Sequence, residues 1–126
     1  MGNGTSIGRV RGLGSARHGA QHWLVQRYTA IGNLLAGLYL LFSLVGLGEF
    51  THKALHAWLS KPLPAVMVAL FVVSTFWHAR LGLQVLAEDY VHEEGNKFAV
   101  MALLNLFAFA GAAFGLLCVV RIALGA

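Results

Sequence analysis

Charge is scarce in this chain. Only 11% of its 126 residues are Asp, Glu, Lys or Arg, against 58% hydrophobic residues and a mean hydropathy of +0.70. That is too little charge to coat a soluble globule of this size. A soluble form would need three long apolar helices packed on one another, yet their faces are apolar all round instead of amphipathic, which points to a bilayer as the solvent. Cysteine is nearly absent as well. The lone Cys118 excludes an internal disulfide and any cysteine-held iron–sulfur cluster made by this chain alone. No glycine pattern of a dinucleotide-binding strand–helix unit occurs, no repeat at a fixed period is present, and three spans are too few for an inverted-repeat transporter by themselves.

What charge there is leans basic, with a formal net charge of +4 and a pI near 9.7. Nucleic acid is not implied. Four of the nine basic residues, Arg9, Arg11, Arg17 and Arg27, precede the first apolar run, where the orientation signals of a membrane protein sit.

The fold class expected is all-α: three transmembrane helices, over about 28–47, 65–87 and 98–124, in a bundle completed by helices from a partner. Residues 1–18, rich in Gly, Arg and Ser with no apolar core, form an arm distinct from the three-helix anchor domain 19–126 and are not a secretory signal. Between runs one and two, residues 48–64 read as a loop that ends at the Pro62-Leu63-Pro64 helix start, and residues 88–97 read as the second loop. The stretch 22–27, with Trp23 and Tyr28, suits the membrane interface, as does Trp58, whereas Trp77 lies inside a span. Gly32 with Ala36, and Gly111 with Gly115, recur at helical spacing and allow close backbone approach. Lys and Arg near the spans favour the N-terminal side six to three, which puts the N-terminus inside and the C-terminus outside.

Against this apolar background His78 stands out. At 1.5 Å per residue it lies roughly 14 Å from the inner end of span two and roughly 20 Å from the outer end. An imidazole at that depth has two readings, a hydrogen-bonded structural histidine or an axial ligand to haem iron. Gly82, four residues on, removes a side chain where a porphyrin face would press, and the Ser74 hydroxyl four residues back could orient the ring. Arg27, at the start of span one, could pair with haem propionates or serve orientation and snorkelling, and Arg80 has the same two readings, with snorkelling toward headgroups favoured. Asp89 and Tyr90, at the inner mouth of span two, could bind a quinone headgroup or simply anchor the interface. His52 and His56, four residues apart without further ligands, read as surface residues.

The stretch Ser74-Thr-Phe-Trp-His78-Ala-Arg-Leu-Gly82-Leu-Gln-Val-Leu-Ala-Glu-Asp89-Tyr90-Val-His92 resembles the second transmembrane helix of the small membrane anchor of succinate dehydrogenase, respiratory complex II. The segment from Gly19 through Arg27 to Ile31 looks like that family's entry into helix one, and the likeness runs from about Gly14 to the C-terminus. The lead before it and the Asp-Tyr-Val-His ending look most like alphaproteobacterial and mitochondrial-type members. The resemblance implies that His78 is an axial ligand of haem b, that Tyr90 hydrogen-bonds ubiquinone with Asp89 beside it, and that Arg27 lies near the haem propionates. The family often has histidine six residues before this arginine. Here that position is Gln21, which can donate a hydrogen bond, with His22 next to it, and the propionate contact is open between these two.

The partners implied are a larger cytochrome b anchor supplying the opposite haem ligand, an iron–sulfur subunit and a flavoprotein. The location implied is the bacterial inner membrane or its mitochondrial equivalent. On this reading the chain does not oxidise succinate alone; it contributes docking, haem ligation and part of the quinone site. Two other functions fit the same sequence: the anchor of a quinol:fumarate reductase, and a haem-free structural or transport-type membrane subunit.

Overall fold

The computed structural model describes residues 19–125; the arm expected over 1–18 lies outside the described residues. Four helices follow one another: α1 Gly19–Val45, α2 His52–Leu59, α3 Pro62–Tyr90 and α4 Glu94–Ala123. The three long ones, of 27, 29 and 30 residues, are apolar enough to cross a membrane. At 1.5 Å per residue each reaches about 40 Å or more, longer than a hydrocarbon core of about 30 Å.

The packing is that of a protein dissolved in lipid. Among the described residues the buried side chains are small or medium apolar ones, Ala36, Pro64, Ala65, Leu81, Ala87, Ala108 and Val119, while large ones such as Phe107 (74% exposed) and Phe42 (70%) point outward. In water such a surface would collapse. In hydrocarbon, helix association comes instead from close backbone approach and interhelical hydrogen bonds, and the small residues lie where both demand them.

α3 is the middle helix: it packs against α1 on one side and α4 on the other, and α1 and α4 make no contact with each other. The α1–α3 pair is antiparallel. Its seam runs from Gly37, where an added Cβ would lie 3.5 Å from Phe71, through Gly32, where it would lie 3.2 Å from the Ser74 hydroxyl. On the α4 side, Gly111 faces Phe76 and Gly115 faces Val72, with room for neither to carry a Cβ. Trp77 and Phe109 meet edge to face at 6.2 Å.

Two expectations are corrected here. The expected loop between spans one and two contains α2, an eight-residue helix. Thr51 caps it, its hydroxyl accepting a hydrogen bond from the Ala54 N–H at 3.2 Å. Before it, the chain leaves α1 through Gly48, whose φ of +73° only glycine adopts without strain. Trp58 anchors α2 by donating from its indole N–H to Ser43 Oγ on α1 at 2.8 Å, and Ser60 Oγ reaches the Ile122 carbonyl of α4 at 3.4 Å. The second loop shrinks to residues 91–93, because α3 runs on to Tyr90 and α4 begins at Glu94. Polar residues at a membrane surface end the apolar run but not the helical ladder; Gln84 and Glu88, one turn apart, even pair at 2.9 Å. The stretch 22–27 lies in the first turns of α1.

Candidate functional site

The polar side chains within the spans are sorted between the two seams of α3. His78 faces α1, where its Nδ1 lies 3.0 Å from Thr29 Oγ1. The same Thr29 hydroxyl lies 2.9 Å from the Val25 carbonyl and 3.0 Å from the Gln26 carbonyl of its own helix. Ser74 does not touch His78. Its hydroxyl donates to the Thr29 backbone carbonyl at 3.0 Å, so the ring-orienting role expected of Ser74 falls to Thr29. Thr29 has no local sequence signal, since it meets His78 across 49 residues of chain.

Nε2 of His78 makes no hydrogen bond among the described residues and is not sealed inside the chain. A half-buried imidazole with one nitrogen tied and the other open is the donor arrangement that a metal requires. A Cβ added to Gly82, one turn further along α3, would meet nothing within 4 Å, so the space beside His78 on that side is free. Among the described residues no three His, Cys, Asp or Glu side chains gather around a common point. The site therefore fits half of a haem-binding pocket.

Arg80 turns the other way. Its Nε donates to Asn105 Oδ1 of α4 and its guanidinium lies 5.5 Å from the centre of the Trp77 ring. The snorkelling expected of it is replaced by a partner inside the protein, as suits a cation this far from water.

Toward the start of α1, seven residues before Thr29 and so on the same helical face, lies His22. Its Nε2 is buried with no hydrogen-bond partner among the described residues. It lines a cavity of about 310 Å³ with Gly19, Gln84, Val85 and Glu88. A buried nitrogen without a partner is costly, so His22 is a candidate for a contact with a group outside the described residues. Gln21 is exposed. Arg27 is exposed too, lying over the Trp23 ring at 5.2 Å; the structure does not bring it to the α1–α3 seam.

Asp89 and Tyr90 form the last turn of α3, both exposed, Tyr90 by 76%. Leu83, Leu86, Ala87 and Tyr90, spaced along one face, line an apolar cavity of about 420 Å³ with Val91, Val100 and Leu104. Twelve residues separate Tyr90 from His78, a rise of about 18 Å, so the two candidates stand at different depths of the same helix. The rings of His52 and His56 lie 6.0 Å apart, tilted by 38°, on α2, away from both.

Three apolar spans with few charges, polar groups paired across helix seams and one imidazole nitrogen left open define a multi-pass membrane protein built to sit among other helices. The chain belongs to the succinate dehydrogenase/fumarate reductase transmembrane subunit family, whose pattern it matches over residues 1–113. It is 32% identical to the succinate dehydrogenase hydrophobic membrane anchor subunit of Rickettsia bellii over 102 residues, covering 81% of this chain and 82% of that one. The succinate dehydrogenase membrane anchor subunit of Reclinomonas americana is 33% identical over 97 residues, covering 73% and 79%. That of Paracoccus denitrificans is 29% identical over 118 residues, covering 93% and 90%. No solved structure matches the chain.

Proposed function

We propose that this chain is the small membrane anchor of a succinate:ubiquinone oxidoreductase. It docks the flavoprotein and iron–sulfur subunits to the membrane and, with a larger cytochrome b anchor, forms the sites for haem b and ubiquinone. The observation that carries the reading is His78, held at mid-span by Thr29 through Nδ1 with Nε2 open. When bound, haem b supplies a one-electron relay within the membrane. His78 would bind its iron through Nε2, and the partner anchor would supply the other ligand. The unpartnered His22 nitrogen and the guanidinium of Arg27 would be the groups on this chain to hold the propionates.

At the inner mouth Tyr90 donates its phenolic hydrogen to a quinone carbonyl, and Asp89 beside it orients the headgroup or passes a proton. The apolar cavity below Tyr90 accepts the hydrophobic part of the molecule. Two electrons arriving from the peripheral subunits and two protons from the inner side convert ubiquinone to ubiquinol, linking succinate oxidation in the tricarboxylic acid cycle to electron transport. The N-terminus then lies inside and the C-terminus outside the bacterial inner membrane or its mitochondrial counterpart.

The test is purification of the intact complex from native membranes through a tag on this chain. The expected result is co-purification of a flavoprotein, an iron–sulfur protein and a second anchor, with succinate-dependent ubiquinone reduction and a b-type difference spectrum. A complex that reduces fumarate with quinol but does not oxidise succinate would refute the direction. One without a b-type signal would refute the haem site.

A further inference from the structure

The geometry assigns Thr29 as a positioning residue that sets the tautomer of His78 and thereby the reduction potential of the haem; the assignment rests on the haem reading above. Thr29 Oγ1 has three neighbours within hydrogen-bond distance: the Val25 carbonyl at 2.9 Å, the Gln26 carbonyl at 3.0 Å and His78 Nδ1 at 3.0 Å. The two carbonyls only accept, and a threonine hydroxyl has a single hydrogen. That hydrogen is directed to the carbonyls of its own helix, the usual arrangement for threonine within a helix. The oxygen is left as an acceptor, so Nδ1 of His78 carries the ring hydrogen and donates it. Nε2 then keeps its lone pair and can bind iron. The opposite polarity, with Thr29 donating to Nδ1, would put the hydrogen on Nε2 and block ligation.

Two neighbouring contacts, neither of them to the Thr29 hydroxyl, join α1 and α3 beside this pair. The Ser74 hydroxyl donates to the Thr29 backbone carbonyl at 3.0 Å, clasping α3 to α1 one turn from His78. Gly32, one turn further along α1, leaves room for Ser74, because a Cβ there would lie 3.2 Å from its oxygen. Donation from Nδ1–H makes the imidazole a stronger base toward the metal, which favours ferric over ferrous iron.

The experiment uses the purified membrane complex with all its partners. Thr29→Val keeps the side-chain shape and removes the oxygen; Thr29→Ser restores it; Ser74→Ala breaks the neighbouring clasp and leaves the Thr29–His78 contact. Each is read by redox titration of the haem and by the ferric low-spin electron paramagnetic resonance g-values. The expected result is an upward shift of the midpoint potential and altered g-values in Thr29→Val, with wild-type values in Thr29→Ser and Ser74→Ala. If Thr29→Val does not assemble, Thr29→Ala is read for the same shift. A variant without the oxygen that keeps wild-type potential and g-values overturns the assignment, as does an equal shift in Ser74→Ala, which would trace the effect to helix packing. A wild-type complex with no b-type haem overturns the haem reading together with it, and is told apart because it needs no variant.

Discussion

Replacing Gly111 with valine tests whether the α3–α4 seam depends on the absence of a side chain. A Cβ at this position would lie 2.3 Å from Phe76 Cε1 and 2.5 Å from Cζ. Ordinary carbon–carbon contact is about 3.5–4.0 Å, so the surfaces must part by more than about 1 Å before valine's two methyl groups are placed. Overpacking of this kind costs about 1–3 kcal/mol, and the gain in helix propensity over glycine returns only a few tenths. Parting α3 from α4 also strains the Arg80–Asn105 hydrogen bond, which supports a cation inside the membrane. A net loss of about 2 kcal/mol is therefore expected, close to a thirtyfold change in the folding equilibrium. The assay is denaturant unfolding of the purified complex in detergent, with Gly95→Val as the comparison. A Cβ at Gly95 meets nothing within 4 Å, so that variant should stay within about 0.5 kcal/mol of wild type apart from its propensity gain. Equal midpoints for the two variants would refute the reasoning.

Three more outcomes follow from the site and the short helix. His78→Ala should lose most of the bound haem, measured as haem per flavin in the purified complex, and full occupancy would remove His78 as a ligand. Tyr90→Phe should reduce ubiquinone turnover by about tenfold, the worth of one hydrogen bond of about 1.4 kcal/mol, while leaving succinate oxidation with an artificial acceptor unchanged. Equal loss in both assays would point to assembly instead. Trp58→Phe removes the 2.8 Å bond to Ser43 and should cost about 1 kcal/mol in the same unfolding assay; combined with Ser43→Ala, the double variant should cost less than the two singles added.

The three spans were legible because run length alone decides whether a helix can cross a bilayer, and each apolar run falls on one long helix, the first passing its end by two residues and the third by one. Gly32, Gly111 and Gly115 were legible for a related reason: small residues one turn apart have few uses in lipid other than close approach. α2 was missed because hydropathy was read across 48–64 as a break, although Thr51 followed by Leu55, Trp58 and Leu59 carries a cap and a helical apolar face. The loop over 88–97 was overextended for the same reason. His78 could be singled out from its depth, but not the identity of its partner, because hydrogen bonds between helices depend on register and rotation that no local pattern encodes. Gly82 was rightly marked as open space, whereas Ser74 was given a contact that belongs to Thr29. Of the two residues weighed for the propionates, the one held in the seam is His22, and its buried nitrogen could be recognised only once α1 and α3 were side by side.

His78 and Arg80 are two positions apart on α3, which turns their side chains about 200° from each other around the helix axis. One is held by Thr29 of α1 and the other by Asn105 of α4. A helix apolar on every face has no preferred rotation in lipid, and sliding it by one residue turns every side chain by about 100°. Here any such slip would break both polar contacts at once and leave a histidine and an arginine facing hydrocarbon. The two hydrogen bonds thus act as a key with teeth on both edges: they admit a single angular setting of the middle helix, the one in which the open nitrogen of His78 meets whatever the neighbouring subunit brings.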